Sequence, residues 1–470
     1  MKYFKWIPFW AALTACGDMA QYREPEIDLP DVYNVMAPVK APSRADLEWW
    51  RNFNDPVLDG LIARGLADNL SIAEAQARLK EAEAGLRGAS VAVTGDAEVE
   101  FSGSKPGSDR IETTIGARVN LANEAGHRRA AAEARLQAAE KNELEARRAV
   151  LSEISNAYTD LRFFQTTRKR REQDLASRQK TTNDINKQVE AGEATKLDLL
   201  RAQSLLAETQ SEIPLIETNI IRQRNRLSTL LGRPIGMLNV DLGYQGRQPL
   251  PQGVTDPGVP ADLLRARPDI QRAERQYAAA LSDMSAANAA RYPSLSLSGI
   301  ISNPLNGVAR PVDTFLAGLV LPVFSQPALA AEVDAADARA TQAYLQWRTA
   351  VLRAVEEVEN AQALLGSSKR AARAAQRTVN LDQESLKLSR ELVSSGGNIT
   401  VLDVLDRERS LAASRTSLAQ SQRDIAAGYI ELQVALGRGH PLVADDPTDG
   451  GTVEQGEQTE TVSRNRKGFH

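Results

Sequence analysis

Cysteine is almost missing from this chain: Cys16 is the only one in 470 residues, which excludes any intrachain disulfide. Histidine is nearly as scarce. His127, His440 and His470 lie too far apart to match any metal-ligand spacing. Aromatic residues make up 5% of the chain, as suits long thin helices without a thick core. Strong charge of one sign is absent as well. Fifty-seven basic against 61 acidic side chains leave a net −4, so nothing in the electrostatics calls for nucleic acid. There is no Gly-rich phosphate loop ahead of a Lys, no Gly-x-Ser-x-Gly elbow and no His-Glu-x-x-His. These absences leave enzymatic chemistry, resident metals and cofactors without support.

What the chain has is a doubled heptad. Tyr344, Val351, Val358, Leu365, Ala372, Val379, Leu386 and Val393 follow at steps of seven, and Ile154, Leu161, Leu175 and Val189 precede four of them by 204 positions. Leu199, Leu206, Ile213, Ile220 and Leu227 likewise precede Val404, Leu411, Leu418, Ile425 and Leu432 by 205. A strict seven-residue repeat keeps one helix seam on a neighbour through left-handed supercoiling. The pattern therefore predicts a tandem duplication of a long coiled-coil hairpin. Arg168, Lys169, Arg170 and Arg171 fall inside one long helix and read as a solvated face.

The first residues are a leader. Lys2 and Lys5 precede a short apolar run, Trp6 to Leu13, and then Leu13-Thr14-Ala15-Cys16. The run is shorter than the roughly 20 residues that span a bilayer. The tetrapeptide resembles a bacterial lipobox, which implies that residues 1–15 are removed and that Cys16 becomes a lipidated first residue. Acyl chains there would anchor the protein at about 0.8 kcal/mol per buried CH₂. Gly17 after the Cys, rather than Asp, resembles the sorting pattern for the outer membrane.

The mature chain is read as an extended Pro-rich segment over 16–55, a first repeat over 56–231, a connector over 232–260, a second repeat over 261–440 and an acidic, disordered tail over 441–470. Each repeat opens on a helix, the first predicted as one element from Pro56 to Val93, the second after Pro268. Each then enters a pair of alternating segments. Val99 and Phe101 begin the first pair; Ile111, Thr113, Ile115, Ala117, Val119 and Leu121 share a face in its second member. Leu295 and Leu297 begin the second pair, which ends with Phe315, Ala317, Leu319, Leu321 and Val323 on one face. Alternation of this length marks either a soluble hairpin or an outer-membrane strand, and its doubling beside a lipobox favours the latter. Long helices over 124–191 and 328–395 follow, each about 100 Å at 1.5 Å per residue. Each ends in a glycine turn, at Gly192 and at Gly396-Gly397. Thr195 with Asp198, and Thr400 with Asp403, read as N-caps of the returning helices. The first returning helix and the helix at 57–93 are expected to stack end to end beside the long one. Pro214 should kink the first returning helix.

Four strands cannot close a barrel whose smallest form has eight, and an open sheet edge in lipid leaves backbone groups unpaired. Several chains must share one barrel; this argument does not choose between two and three. Trp49-Trp50-Arg51-Asn52-Phe53-Asn54-Asp55-Pro56-Val57-Leu58 and LLRARPDIQRAERQ (263–276), with the doubled plan and the lipobox, resemble the TolC-type outer-membrane efflux factors, in their lipoprotein branch (that of OprM, CusC and NodT). The resemblance implies a fold of mixed α and transmembrane β: a homotrimer whose 12-stranded β-barrel continues into a periplasmic α-helical barrel. It further implies a passive exit duct of a tripartite efflux pump, gripped by a periplasmic adaptor and an inner-membrane RND-type pump. The family's Pro at the entry to its first strand is missing here, which loosens that strand's start.

GNITVLDVLD (397–406) resembles the family's tip segment, and its two aspartates map onto Asp403 and Asp406. One helix face holds i and i+3, so three copies would set six carboxylates in one periplasmic aperture that favours cations. The competing possibility is that Asp403 caps a helix and Asp406 is a solvated charge. Ile399 stands where some members carry an Arg. Gly192, Thr195, Gly397 and Thr400 mark the tips expected to contact the adaptor. The alternative function is a lipid-anchored periplasmic coiled-coil adaptor or scaffold, which would need a β-rich module interrupted by the hairpin.

Overall fold

The computed structural model describes residues 48–91, 93–102, 110–120, 124–238, 240–244, 247–253, 267–304, 312–395 and 399–439. The leader, Cys16, Gly397 and the acidic tail lie outside the described residues. A 3-10 turn, Trp49–Phe53, precedes helices α1 (Pro56–Asp68) and α2 (Leu70–Ala89). Strands β1 (Val93–Ser102) and β2 (Arg110–Asn120) lead to α3 (Glu124–Glu190) and α4 (Lys196–Leu230). The second repeat runs α5 (Pro268–Ala289), β3 (Ser294–Pro304), β4 (Val312–Val320), α6 (Gln326–Ser394) and α7 (Val401–Ala435).

The single helix expected over 57–93 is instead two helices and the start of a strand. Asn69 breaks it: its Oδ1 accepts from the N–H groups of Ser71 and Ile72 at 2.8 and 3.2 Å, capping α2. Heptad spacing records where apolar residues recur and is blind to a side chain that competes for backbone donors. Val93 opens β1 opposite Val119, six residues before Val99 and without a leading proline. Cross-strand pairing sets this start.

The strands form one antiparallel sheet in the order β1-β2-β3-β4, joining the two repeats through β2 and β3. Val119 faces both Val93 and Leu297, and Leu297 faces Ala317, so the apolar phase crosses the sheet in register. On β4, Phe315, Ala317 and Leu319 of that phase are exposed. Among the described residues the outer edges of β1 and β4 have no strand partner.

Below the sheet, α3 packs against α2 and α4 on one side and against α5 and α7 on the other; α5 and α7 in turn pack against α6. All the predicted heptad positions on α3, α4, α6 and α7 are buried or half-buried. End-to-end stacking also holds, with α2 rather than the whole of 57–93. Asn69 Nδ2 donates to the Leu230 carbonyl at 2.7 Å, joining the start of α2 to the end of α4. Arg267 Nη1 does the same to the Ala435 carbonyl at 2.9 Å, joining α5 to α7. That arginine is buried and pairs with Asp269 and Glu357, both at 2.7 Å, which gives the LLRARPDI segment a structural task. Gly232 and Gly437 close α4 and α7 at φ +63° and +71°, and each is followed by an Arg whose N–H reaches back five residues. α4 continues through Pro214, whose missing N–H leaves the carbonyl of the exposed Gln210 to water.

The densest core lies at the junctions. Trp49 and Phe53 of the 3-10 turn pack edge-on against Tyr429 of α7, among Leu151, Ile154 and Tyr158 of α3. Asn52 donates to the Tyr429 hydroxyl at 2.6 Å, and the Tyr158 hydroxyl donates to Asp55 at 2.5 Å. Burial, then the bond to Asp55, push the Tyr158 phenol far above its ordinary value. Among the described residues no helix is long and apolar enough to cross a membrane.

Candidate functional site

The tips lie at the far end of the helices. α3 ends on Gly192 at φ +78°, with Glu193 N–H returning to the Gln188 carbonyl at 2.7 Å; only a glycine adopts that turn without strain. Thr195 then caps α4: its N–H and hydroxyl donate to Asp198 Oδ2 at 3.2 and 2.6 Å, while Asp198 N–H donates back to Thr195 Oγ1. The second tip repeats the box, with Thr400 N–H and hydroxyl each 2.8 Å from Asp403 Oδ2. These hydrogen bonds from the threonines hold both carboxyls below their ordinary value, with the side-chain bond leading at Asp198 and the backbone bond at Asp403. Within the protomer, then, Asp403 makes the capping contacts that competed with the aperture assignment.

The two tips differ one turn further on. Asp406 is exposed and pairs with Arg409 at 3.3 Å. Its counterpart 205 residues earlier is Arg201, which lies 3.6 Å from Asp198. The second tip therefore presents two exposed carboxylates on one helix face and the first tip an acid with a base. Beside them, Leu405 packs with Ile185, Leu199 and Ala202.

Sequence reasoning missed the layer directly above. The contact between α6 and α7 is apolar, built from Ala375, Val379, Leu386, Val404, Leu411 and Leu418. Between Asp160 and Thr181 of α3, the contact with α7 is polar. Asp160 accepts from Arg423 at 2.7 Å and Asp174 from Arg415 at 3.1 Å; Thr181 donates to Glu408 at 2.8 Å. Arg170 donates to the Arg415 carbonyl at 2.9 Å, and Arg171 pairs with Glu212 of α4 at 2.5 Å. Two of the four basic residues read as a solvated face are thus turned into the bundle; a 3.6-residue turn cannot keep four consecutive side chains on one side. Burial raises the Asp174 carboxyl and outweighs the opposing pull of Arg415, Arg171 and Arg178. A signal for this seam existed. Asp160, Thr167, Asp174 and Thr181 form a polar heptad of their own on α3.

Comparison with known proteins agrees with this architecture over nearly its whole length. Nodulation protein T of Rhizobium leguminosarum bv. trifolii is 32% identical over 458 residues, spanning 93% of this chain and 97% of that protein. The pyoverdine export outer membrane protein OpmQ of Pseudomonas aeruginosa is 27% identical over 466 residues, 93% of this chain and 97% of its own length. The solved structure of the outer-membrane channel OprN superposes with a TM-score of 0.81 at 25% identity, covering 89% of this chain and 98% of that one. The family described as outer membrane efflux protein matches residues 61–233 and 259–438. That match sets aside the adaptor alternative: the chain belongs to the outer membrane efflux protein family, whose members are TolC-type channels and not enzymes.

Proposed function

We propose that this chain is the outer-membrane exit duct of a tripartite efflux pump, working as a homotrimer anchored by a lipid on Cys16. Three four-stranded sheets would close one 12-stranded barrel, and three sets of helices one periplasmic tunnel. The observation that carries this reading is the sheet itself. Among the described residues it is open at both edges, and it exposes Phe315, Ala317 and Leu319, which water disfavours and lipid accepts. Edge closure by further copies satisfies the backbone. The exposed apolar residues of α4 and α6, Leu200 and Ile221 on one and Leu352 and Leu388 on the other, support the same conclusion.

In this arrangement the duct conducts small molecules or ions passively. Asp403 and Asp406 form the periplasmic aperture, with capping and gating compatible because Asp403 uses one oxygen, Oδ2, for Thr400. Gly192, Thr195, Gly397 and Thr400 form the contacts to a periplasmic adaptor, which couples the duct to an inner-membrane RND-type pump. The test is the full-length protein extracted in detergent and placed in planar bilayers. A heat-modifiable trimer with small conductance, blocked by trivalent cations, is expected. Replacing Asp403 and Asp406 with Ala should raise conductance and abolish the block. Unchanged conductance and block would remove the aperture assignment; a protein that forms no pore would remove the duct.

A further inference from the structure

We propose that the cleft over the junction of α5 and α7 is a binding station on the bore of the duct for amphoteric small molecules, which carry a cationic and an anionic group together; this rests on the duct reading above. The cleft has a volume of about 590 Å³, within the range of small-molecule sites. α3 contributes Glu145 and Arg148 to its wall, α5 Arg272, α6 Arg353 and Glu357, and α7 Glu431. Much of this charge is already paired. Arg267 holds Asp269 and Glu357, both at 2.7 Å, and Arg272 holds Glu145 at 3.0 Å. Arg353 and Glu431 stand apart from these pairs. Both are exposed, and among the described residues neither has an ion-pair or hydrogen-bond partner.

The two unpaired charges have opposite signs and stand on neighbouring helices, a pattern that fits a ligand with one charge of each sign. Arg148 adds to the positive side. It is 8% exposed, its Nη1 donates to the Val434 carbonyl at 2.8 Å, it approaches Asp269 only to 3.6 Å, and its Nε has no hydrogen-bond partner. On the negative side, burial and then the neighbouring Glu357 raise the Glu431 carboxyl, and a cation bound beside it relieves that repulsion. The duplication supplies an internal comparison. Glu357 corresponds to Glu153, 204 residues earlier, and Glu431 to Arg226, 205 residues earlier. In the first repeat these two form an ion pair at 2.9 Å. The second repeat has an acid in place of that base, and Arg353 in place of Ala149, so the pair is lost and two free charges line the cleft.

Helical geometry sets which way the cleft opens. Ile154 of α3 meets Gly65 of α1, and Tyr429 of α7 meets the 3-10 turn, so α1 and the turn form an extra layer on one face of the helix row. Glu145 lies nine residues before Ile154, about two and a half turns, and Glu431 two residues after Tyr429, about half a turn. Both therefore point from the opposite face. Three such rows, with helices about 10 Å apart, make a ring whose bore is about 30 Å, and three inward layers of helix about 10 Å thick would all but fill it. The extra layer thus lies outside and the cleft opens inward. Weak contacts to exposed charges suit a passage, since cargo must leave as readily as it binds.

Equilibrium binding to the full-length, detergent-extracted protein tests the station with three capped dipeptides of similar size. Acetyl-Arg-Glu-amide carries both charges, acetyl-Arg-Gln-amide the cation and acetyl-Gln-Glu-amide the anion. Wild type should bind the first about fivefold more tightly than either of the others, the size of one exposed charge contact. Glu431→Gln should remove its advantage over the anionic peptide, and Arg353→Gln its advantage over the cationic one. Both side chains are exposed, so neither change threatens assembly. Equal affinities for the three peptides in wild type overturn the station, as do affinities unchanged in both variants. Tightest binding of a singly charged peptide overturns the amphoteric class. In planar bilayers the doubly charged peptide should interrupt the wild-type current, and about fivefold less often in Glu431→Gln. Binding in detergent without such interruptions overturns the placement on the bore. Wild-type protein without any pore overturns the duct reading, a failure distinct from that of the station, which the binding comparison reads without a membrane.

Discussion

α4 and α7 are 35 residues long each, begin on equivalent capping boxes and carry the same heptad 205 positions apart, yet α7 buries sixteen residues and α4 six. Composition does not separate them. α7 has α3 on one side and α6 on the other, whereas α4 has α3 alone for most of its length. A sequence repeat specifies the seam inside each hairpin but not the helix's place in the row. Among the described residues the side of α4 away from α3 leaves Leu197, Leu200, Leu215 and Ile221 exposed.

Exchanging residues between the two helices is the sharpest way to break this comparison. Pro214 of α4 corresponds to Ala419 of α7, which is buried. Ala419→Pro should cost about 3 kcal/mol or more, because the ring meets a packed neighbour and the Arg415 carbonyl keeps only its bond from Arg170. Pro214→Ala should instead add about 1–2 kcal/mol, the regained hydrogen bond being offset in part by a looser unfolded chain. Thermal unfolding of the detergent-solubilised protein, followed by circular dichroism, reads both. Equal tolerance of proline at the two sites would mean that α7 is not an interior helix.

A smaller effect is expected at Gly428. A Cβ there would sit 3.2 Å from the Leu365 backbone nitrogen and 3.3 Å from its Cα, so α6 and α7 touch through a bare backbone. The equivalent residue of α4 is the half-buried Gln223. Gly428→Gln should destabilise by about 1–3 kcal/mol through overpacking. Chemical denaturation checks this, and a neutral outcome would place the α6–α7 contact further apart.

The smallest effects belong to the capping boxes, where the two helices are alike. Thr195→Ala and Thr400→Ala should each cost about 1 kcal/mol and by similar amounts. Acid should erase the difference. Asp198 and Asp403 titrate below the ordinary 3.8, so their contribution is complete above that pH and is lost as pH falls through the lowered values. Hydrogen exchange at the tips, compared at neutral pH and below 3.8, should show wild type and the two alanine variants converging under acid. Loss of protection at one tip alone would show that the boxes are not equivalent.

Much of this was legible in the residues. The heptads, the closing glycines Gly232 and Gly437, and the caps at Thr195 and Thr400 rest on interactions within a few positions of each other. The break at Asn69 was hidden because its cap is only half of its role; the other half is a bond to Leu230, which is 161 positions away. Arg267 was quoted within a family motif, but its partner Glu357 lies 90 positions on. The polar heptad Asp160, Thr167, Asp174 and Thr181 could have been found as a pattern. Its meaning could not, since nothing local says that it faces α7 instead of water.

The sequence by itself determined the repeat, the hairpins, the alternating strand pairs and the caps at which the long helices turn into the returning ones, because short-range spacing and capping decide those. The tertiary structure alone decided the order of helices in the row. It thereby decided which of two matching helices is interior, which arginines of a basic run turn inward, and that Glu408 is buried above the second tip. Such choices depend on burial and on charges hundreds of residues apart, which become neighbours only once the chain has folded.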